Sequence, residues 1–154
     1  MNFENILTPS AVKVLSSTTS KKRLVTDLGD LAAIAYGLEA PTVVEALLAR
    51  EALGPTGVGR GVALPHARLT GLDKVVGLFV LLDKPVDFGA VDRQPVDIAF
   101  ALFAPENAGV EHLKALALVS RTLRDSGVCA KLRANPNAST LYTILTEAEG
   151  AQAA

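Results

Sequence analysis

The sequence predicts an α/β protein in which helices cover a central sheet. Helical patterns occupy the two ends of the chain, and two short apolar runs lie between them, at Val75–Leu82 and Val96–Phe103. Runs this short, rich in β-branched residues and bounded by Asp, Pro and Gly, favour buried strands over helices. The order of helices, then strands, then helices therefore indicates an α/β sandwich with a covered sheet.

Two helices are predicted before these strands. Ser20 is suited to cap a helix over about residues 21–37, whose apolar face has the spacing of a surface helix. That face consists of Leu24, Leu28, Leu31 and Ala35. We expect Pro41 at the first position of a second helix, and Gly54 as the residue that terminates it. The residues that this second helix is expected to bury are Val43, Val44, Leu47 and Leu48.

Residues 54–68 read GPTGVGRGVALPHAR, which predicts a glycine-rich loop and a short strand at about 61–64 that ends at Pro65. The segment 83–95 between the two apolar runs is rich in turn residues and is expected to be exposed. Further helices are predicted over 109–125, about 128–134 and 139–148, and the tail 150–154 is expected to be frayed. The predicted apolar side of the first of these helices consists of Leu113, Leu116, Ala117 and Leu123.

Length and composition indicate one domain over residues 1–154, with a core of about 3–148. The chain is 49% hydrophobic and 20% charged, which excludes a disordered tail. A net charge of −1 gives no basic excess for nucleic-acid binding. The single cysteine, Cys129, cannot form an internal disulfide, and no apolar run approaches the ~20 residues of a membrane-spanning helix. Without a secretory signal pattern at the amino terminus, a cytoplasmic location is expected.

The two histidines are the candidate reactive groups. His66 follows Leu64-Pro65 at the end of the predicted strand, a position at which a rigid scaffold often presents reactive side chains. His112 falls in the first turn of the predicted 109–125 helix, where free N–H groups attract anions and lower the pKa of an imidazole. A surface or capping histidine without a role remains the alternative for each. Two histidines without further ligands do not form a metal site, and no cofactor is expected.

The glycines do not match a nucleotide-binding loop. The GxxxxG spacing of Gly54 and Gly59 is followed by Arg60 and not by Lys, so a conformational use of these glycines is favoured. Arg50 is predicted on the last turn of the second helix, and arginine suits bidentate contact with phosphate. Arg60 and Arg68 flank the His66 segment, and each taken alone is better interpreted as a solvated charge.

Two long segments carry a family resemblance. REALGPTGVGRGVALPHAR, residues 50–68, resembles the phosphoacceptor region of the fructose/mannitol-type enzyme IIA of the bacterial phosphoenolpyruvate phosphotransferase system. QPVDIAFALFAPENAGVEHLKALALVSRTLRD, residues 94–125, is similar to the second signature of that family. With the KKR start of the first long helix, the resemblance covers about residues 3–148. Among the subtypes, the chain is similar above all to the stand-alone nitrogen-regulatory IIA.

The resemblance implies a fold and a set of site residues. The fold is a mixed central sheet flanked by helices on both faces. His66 occupies the position of the phosphorylated histidine, Arg50 that of the arginine beside the phosphate, and His112 that of the second active-site histidine. The family often has Gly-Ser-Thr-Gly where this chain has Gly54-Pro55-Thr56-Gly57. The proline removes one N–H and leaves Thr56 as the only hydroxyl in this stretch.

The implied function is that of a phosphohistidine carrier. His66 would accept a phosphoryl group from the carrier HPr or its nitrogen-branch relative, and the phosphorylation state would regulate targets such as potassium-transport or sensor-kinase proteins. A sugar-specific IIA that passes phosphate to a IIB domain for fructose or mannitol uptake is the alternative. A pure interaction module and a small hydrolase or metal enzyme are further alternatives. The interaction module would retain the fold without the chemistry. For a hydrolase or metal enzyme, the sequence offers neither a GxSxG motif nor a set of metal ligands.

Overall fold

A computed structural model describes residues 1–153, and of residues 149–153 it describes the backbone alone. Within this range the chain forms six α-helices and one six-stranded sheet. The helices are α1 (Phe3–Ile6), α2 (Lys21–Tyr36), α3 (Ala40–Glu51), α4 (Val110–Leu123), α5 (Ser126–Ala134) and α6 (Ala138–Ala153). The strands are β1 (Val12–Leu15), β2 (Gly57–Gly59), β3 (Val62–Ala63), β4 (His66–Leu69), β5 (Val76–Val86) and β6 (Val96–Pro105).

The sheet is mixed, as the family resemblance implies. Its order is β1-β5-β6-β3-β2, and β4 also pairs with β6. Strands β5 and β6 are antiparallel, whereas β1 runs parallel to β5, and β3 and β4 run parallel to β6. The two predicted apolar strands are therefore the central pair of the sheet.

Helices cover both faces of this central pair. Residues 76–82 of β5 and 98–105 of β6 are all buried, and because successive strand residues point to opposite faces, neither face is open to water. On one face Phe3 of α1 packs against Phe100, with ring centroids 5.7 Å apart. Burial on both sides explains why these strands read as continuous apolar runs without polar alternation.

Helix α2 follows its sequence signals closely. The Ser20 hydroxyl accepts a hydrogen bond from the backbone N–H of Arg23 at 3.0 Å, as expected of an N-cap. The helix ends at Gly37, whose left-handed backbone (φ 68°) suits glycine. Leu24, Leu28 and Leu31 are buried, so the predicted face of the helix is confirmed.

Helix α3 differs from its prediction in three details. It begins at Ala40, so Pro41 stands at the second position, and Ala52 is its C-cap, so Gly54 lies beyond the end. Leu48 is 40% exposed, contrary to the prediction. The helix packs on α2 and β4 along the i, i+4 stripe of Val43 and Leu47, and Leu48 lies outside that stripe.

The predicted apolar side of α4 is wrong in part. Leu113 is 65% exposed and Ala117 is also exposed, although Leu123 is buried as predicted. The buried face consists instead of His112, Ala115, Leu118, Val119, Thr122 and Leu123. Since α4 has apolar residues around most of its circumference, the sequence did not show which side meets the sheet.

The segment between β5 and β6 is not uniformly exposed, contrary to the prediction. Strand β5 continues to Val86, and Val86, Phe88 and Ala90 are buried. The Lys21 ammonium lies 4.5 Å from the centroid of the Phe88 ring, a cation–π contact between this segment and α2. The turn residues of this segment do not show that Val86, Phe88 and Ala90 are buried between them.

The C-terminal helices agree with the prediction in number and approximate position. Helix α6 begins at Ala138 and extends through Ala153, beyond the predicted end at 148. Most of the tail expected to be frayed therefore has a helical backbone in this structure, while Ala154 lies outside the described residues. No helix within residues 1–153 combines the length and apolarity needed to cross a bilayer.

Strands β3 and β4 form one line of pairing that is interrupted at Leu64-Pro65. Val62 pairs with Ile98 and His66 pairs with Leu102, so the register along β6 does not change across the break. The Pro65 carbonyl accepts a hydrogen bond from the Leu102 N–H at 3.0 Å, while the N–H that proline lacks interrupts the ladder at this residue. His66 is consequently the first residue of a strand, whereas the sequence placed it in a loop after the strand's end.

We predict that Gly77→Ala destabilises the fold by about 1–3 kcal/mol, the usual cost of overpacking a core. A Cβ at this position of β5 would lie 2.6 Å from Cε1 of Phe100 and 3.3 Å from the Ile6 carbonyl oxygen. Urea unfolding measures the free energy. In a Phe100→Leu background the same substitution should cost less, since the ring edge is gone; an equal cost in both backgrounds would contradict this packing explanation.

Candidate functional site

The three site residues implied by the resemblance lie in one surface pocket. Arg50 reaches it from the last turn of α3, His66 from the start of β4, and His112 from the first turn of α4. The full lining comprises Ala46, Ala49, Arg50, Leu53, His66, Ala67, Arg68 and His112. The lining contains no carboxylate, so its charged groups are cations.

The His66 imidazole is oriented by the backbone just before it. Its Nδ1 lies 2.8 Å from the carbonyl oxygen of Leu64. A carbonyl oxygen can only accept, so this hydrogen bond requires the proton on Nδ1 and leaves the lone pair on Nε2. Pro65 between the two residues restricts the backbone and fixes this geometry. The half-buried ring thus presents one nucleophilic nitrogen.

His112 faces His66 from the opposite wall of the pocket. The two ring centroids are 5.9 Å apart, and the ring planes are inclined at 50°. His112 is 7% exposed, and within the described part of the chain its Nδ1 is the one buried side-chain nitrogen or oxygen without a hydrogen-bond partner. A buried polar atom without a partner is costly, and functional sites are where such atoms are found.

Burial lowers the pKa of His112 below its usual value, and electrostatic interactions with Arg68 and then with His66 lower it further. The imidazole is therefore neutral near pH 7 in the free protein. The position of His112 at a helix N-terminus predicts a lowered pKa, but in the structure the first cause of the lowered pKa is the loss of solvent. The neutral ring can gain a proton when a negative charge arrives nearby.

Arg50 uses one of its five N–H groups to hold the end of its own helix. Its Nη1 donates to the Gly54 carbonyl at 2.9 Å, and among the described residues its other donors have no partner. The half-buried guanidinium lies at the edge of the pocket and can donate to phosphate oxygens.

Thr56 does not line the pocket. It is 4% exposed, and its hydroxyl donates to a carboxylate oxygen of Glu51, which also accepts from the Thr56 N–H at 3.2 Å. Glu51 is itself ion-paired with Lys21 at 2.8 Å. The only hydroxyl of the 54–57 stretch is therefore engaged in holding the loop against α2 and α3.

Arg68 is a site residue that the sequence argument undervalued. It stands two residues after His66 on β4, so both side chains point to the same side of the strand, while Ala67 and Leu69 between and beyond them are buried. If β4 is known to be a strand, the alternation of its side chains places Arg68 on the same side as His66. Arg60, its equal in the sequence argument, does not line this pocket.

Metal ligation finds no support in the described residues. Among the side chains that the structure describes, those of residues 1–148, no group of three or more His, Cys, Asp or Glu is placed to hold a metal ion. The chemistry open to this pocket is that of a nucleophilic imidazole beside cationic donors.

Comparison with known proteins identifies what this chain resembles. Residues 5–148 match the family described as phosphoenolpyruvate-dependent sugar phosphotransferase system, EIIA 2. The chain is 46% identical over 145 residues to a nitrogen regulatory protein of Bradyrhizobium diazoefficiens, covering 94% of this chain and 95% of that protein. The solved structure of nitrogen regulatory protein IIA-Ntr from Neisseria meningitidis has a TM-score of 0.84 at 39% identity, covering 92% of this chain and 97% of that one.

A more distant relative has a sugar-specific name. The fructose-specific EIIA component of Haloferax volcanii is 34% identical over 104 residues, covering 68% of each protein. The match to the nitrogen regulatory protein is therefore both longer and more similar.

We predict that His112→Gln reduces the loss of stability on acidification. Because the pKa of His112 is lower in the folded than in the unfolded chain, the unfolded chain binds more protons as the pH falls below about 6.5. The free energy of unfolding then decreases between this pH and the folded-state pKa. Urea unfolding from pH 8 to pH 5 measures the effect. Above pH 7 the stability difference between variant and wild type should stay constant, and below pH 6.5 the wild type should lose more stability than the variant. A constant difference throughout would contradict a lowered pKa.

Proposed function

The chain belongs to the EIIA 2 family of the phosphoenolpyruvate-dependent phosphotransferase system, and from this premise we propose that it carries a phosphoryl group on Nε2 of His66. It acts as one EIIA-type domain, accepts the group from an HPr-like phosphocarrier protein, and regulates target proteins by its phosphorylation state. The observation that supports this most strongly is the single free nitrogen of His66, held in a cationic pocket beside His112.

The chemistry requires a neutral imidazole with an accessible lone pair. The Nε2 lone pair attacks phosphorus of the partner's phosphohistidine, a new N–P bond forms, and the donor N–P bond breaks with its electron pair returning to the donor imidazole. The Leu64 carbonyl keeps its hydrogen bond to Nδ1–H throughout, so it stabilises the positive charge that develops on the His66 ring. No proton has to leave His66 before the attack.

The positive charges of the pocket can stabilise a dianionic phosphoryl group during its transfer. Phosphoryl transfer depends on alignment and on neutralising the equatorial oxygens more than on covalent help. Arg50 provides a guanidinium for the oxygens, Arg68 adds positive charge to the pocket, and the lining contains no carboxylate that would repel the oxygens. His112 can take up a proton once the phosphoryl group arrives, because the new negative charge offsets the factors that lower its pKa.

The rim of the pocket can seat a protein donor. Leu53, which lines the pocket, is 84% exposed, and Leu113, next to His112 in sequence, is 65% exposed. Large apolar side chains that remain in water beside a reactive group are typical of interaction sites. A carrier that covers them would also exclude water from the phosphoryl group.

Similarity to nitrogen regulatory proteins favours regulation over sugar uptake as the outcome of phosphorylation. The targets are then proteins that bind one phosphorylation state better than the other, in the class of potassium-transport or sensor-kinase proteins that the resemblance implies. A sugar-specific role would instead require rapid transfer from His66 to a IIB domain.

Incubation with phosphoenolpyruvate, enzyme I and an HPr-like carrier tests the proposal. We expect one phosphoryl group per chain, labile to acid and stable to alkali as a phosphoramidate is. His66→Ala should abolish incorporation, whereas His112→Ala should still accept the group but release or retain it abnormally. Full incorporation into His66→Ala, or an acid-stable label, would contradict the proposal. Adding a IIB domain distinguishes the two roles, because only a sugar-specific protein would lose its label rapidly to it.

We predict that Arg50→Ala slows phosphorylation by up to about 10³-fold, the scale of an arginine that stabilises a transferring phosphoryl group. Stability should change little, because the side chain makes one hydrogen bond at a helix end. Stopped-flow or quench-flow phosphorylation and thermal melting measure the two effects. Arg50→Lys retains the charge but loses the planar fork, so an intermediate rate is expected. A lowered melting temperature with an unchanged transfer rate would assign Arg50 to the fold alone.

We predict that Leu53→Ser raises the KM for the phosphocarrier by about tenfold, since the side chain would be buried on docking at a gain above 1.4 kcal/mol. The rate at saturating carrier should change much less. Ile34→Ser is the matched control, because Ile34 is 73% exposed on α2 and does not line the pocket. Equal effects of the two substitutions would show that Leu53 has no part in docking.

A further inference from the structure

Arg68 joins strand β4 to the loop that leads into α4. Its Nη1 donates hydrogen bonds to three backbone carbonyl oxygens of this region. The oxygen of Glu106 is at 3.2 Å and that of Pro105 at 3.5 Å, and the oxygen of Ala108 is the closest of the three. Pro105 is the last residue of β6, and Glu106 and Ala108 lie between the strand and Gly109, the N-cap of α4. One side chain on the His66 strand therefore holds the whole approach to the His112 helix.

Among the described residues, no side chain makes a capping hydrogen bond at the start of α4. Gly109 has no side chain with which to cap the helix, in contrast to Ser20 at α2 and Asp125 at α5. His112 is three residues beyond Gly109, so a shift of this loop moves the imidazole directly. The Arg68 guanidinium does not cap the helix, because it has no acceptor for the free N–H groups of the first turn; it holds the carbonyls that precede the helix.

We propose that Arg68 is a positioning residue, whose guanidinium holds the carbonyls of residues 105–108 against β4 and thereby sets the separation between the imidazoles of His66 and His112. The proposal rests on the proposed function, because phosphoryl transfer at His66 is the step that this separation serves. A displacement of about 1 Å in such a site can reduce a rate by up to about 100-fold.

The same guanidinium also acts on His112 through its charge. It is the largest charged contribution to the lowered pKa of His112, after burial. The other charged or titratable groups of the pocket are Arg50 on α3 and His66 on β4. On α4 itself, Glu111 and Lys114 lie beside His112 as a pair 3.8 Å apart. Removing the Arg68 charge should therefore favour protonation of His112.

The test compares Arg68→Gln, Arg68→Lys and the control Arg60→Gln by NMR of the unphosphorylated protein. For Arg68→Gln we expect a raised His112 pKa in a pH titration and phosphorylation up to about 100-fold slower. Exchange should also be faster at the Ala108 and Leu113 amides, which donate to the Pro105 and Gly109 carbonyls. Arg68→Lys should keep the His112 pKa near that of wild type, because the charge is retained. Its amide exchange should still be faster than in wild type, because an ammonium lacks the planar guanidinium that reaches all three carbonyls. Arg60→Gln should behave as wild type, because Arg60 makes its hydrogen bonds through its backbone.

An unchanged His112 pKa and unchanged amide exchange in Arg68→Gln would overturn the proposal, as would wild-type transfer rates in a variant whose loop exchanges faster. The NMR measurements need no phosphoryl donor. If the NMR changes occur in a protein whose wild type takes up no phosphate, the positioning role stands and the proposed function fails.

Discussion

The site depends on one constraint, the unbroken register of β6 with the two short strands beside it. β3 and β4 pair with β6 at the same offset on either side of Leu64-Pro65. The Leu64 carbonyl accepts a hydrogen bond from the His66 ring, and the register fixes where His66 stands relative to the end of β6. Because α4 begins a few residues after β6 ends, the same strand also sets the location of His112. Two histidines far apart in sequence thus meet through one central strand.

The electrostatics of the pocket follow from that arrangement. Burial and neighbouring cations disfavour protonation of an imidazole, and the same cations favour the binding of an anion. The Nδ1 of His112 without a partner represents unfavourable free energy in the unphosphorylated protein, and the lowered pKa of that ring shows that its surroundings disfavour the imidazolium. A phosphoryl group on His66 would offset this effect by favouring the imidazolium. The free and phosphorylated proteins are in this way distinguished by the charge of two rings and not by His66 alone.

Much of the fold was predictable because it depends on local signals. A few neighbouring residues are enough to predict three of its features. These are the Ser20 cap, Gly37 at the end of α2, and strands β5 and β6, which are buried on both faces. The errors arose where tertiary packing decides between equal local choices. Leu113 and His112 are adjacent on an apolar helix, and only the sheet determines that the histidine is buried and the leucine exposed. Phe88 was hidden in a turn-rich segment for the same reason.

The site residues were predicted through the family resemblance, whereas their geometry and the role of Arg68 were not. Strand β4 is four residues long and begins at a histidine after a proline, so no periodicity reveals it. Without β4, the common orientation of His66 and Arg68 cannot be derived, nor can the contact of Arg68 with a loop nearly forty residues later.

The central claim is that the Leu64 carbonyl holds the proton of His66 on Nδ1 and leaves Nε2 to react. Two-bond ¹H–¹⁵N correlation spectra of the imidazole rings measure this directly, before and after phosphorylation. We expect His66 to be protonated at Nδ1 in the free protein and phosphorus to be coupled to Nε2 in the phosphorylated one. A free protein with the His66 proton on Nε2, or a phosphoryl group on Nδ1, would contradict the account.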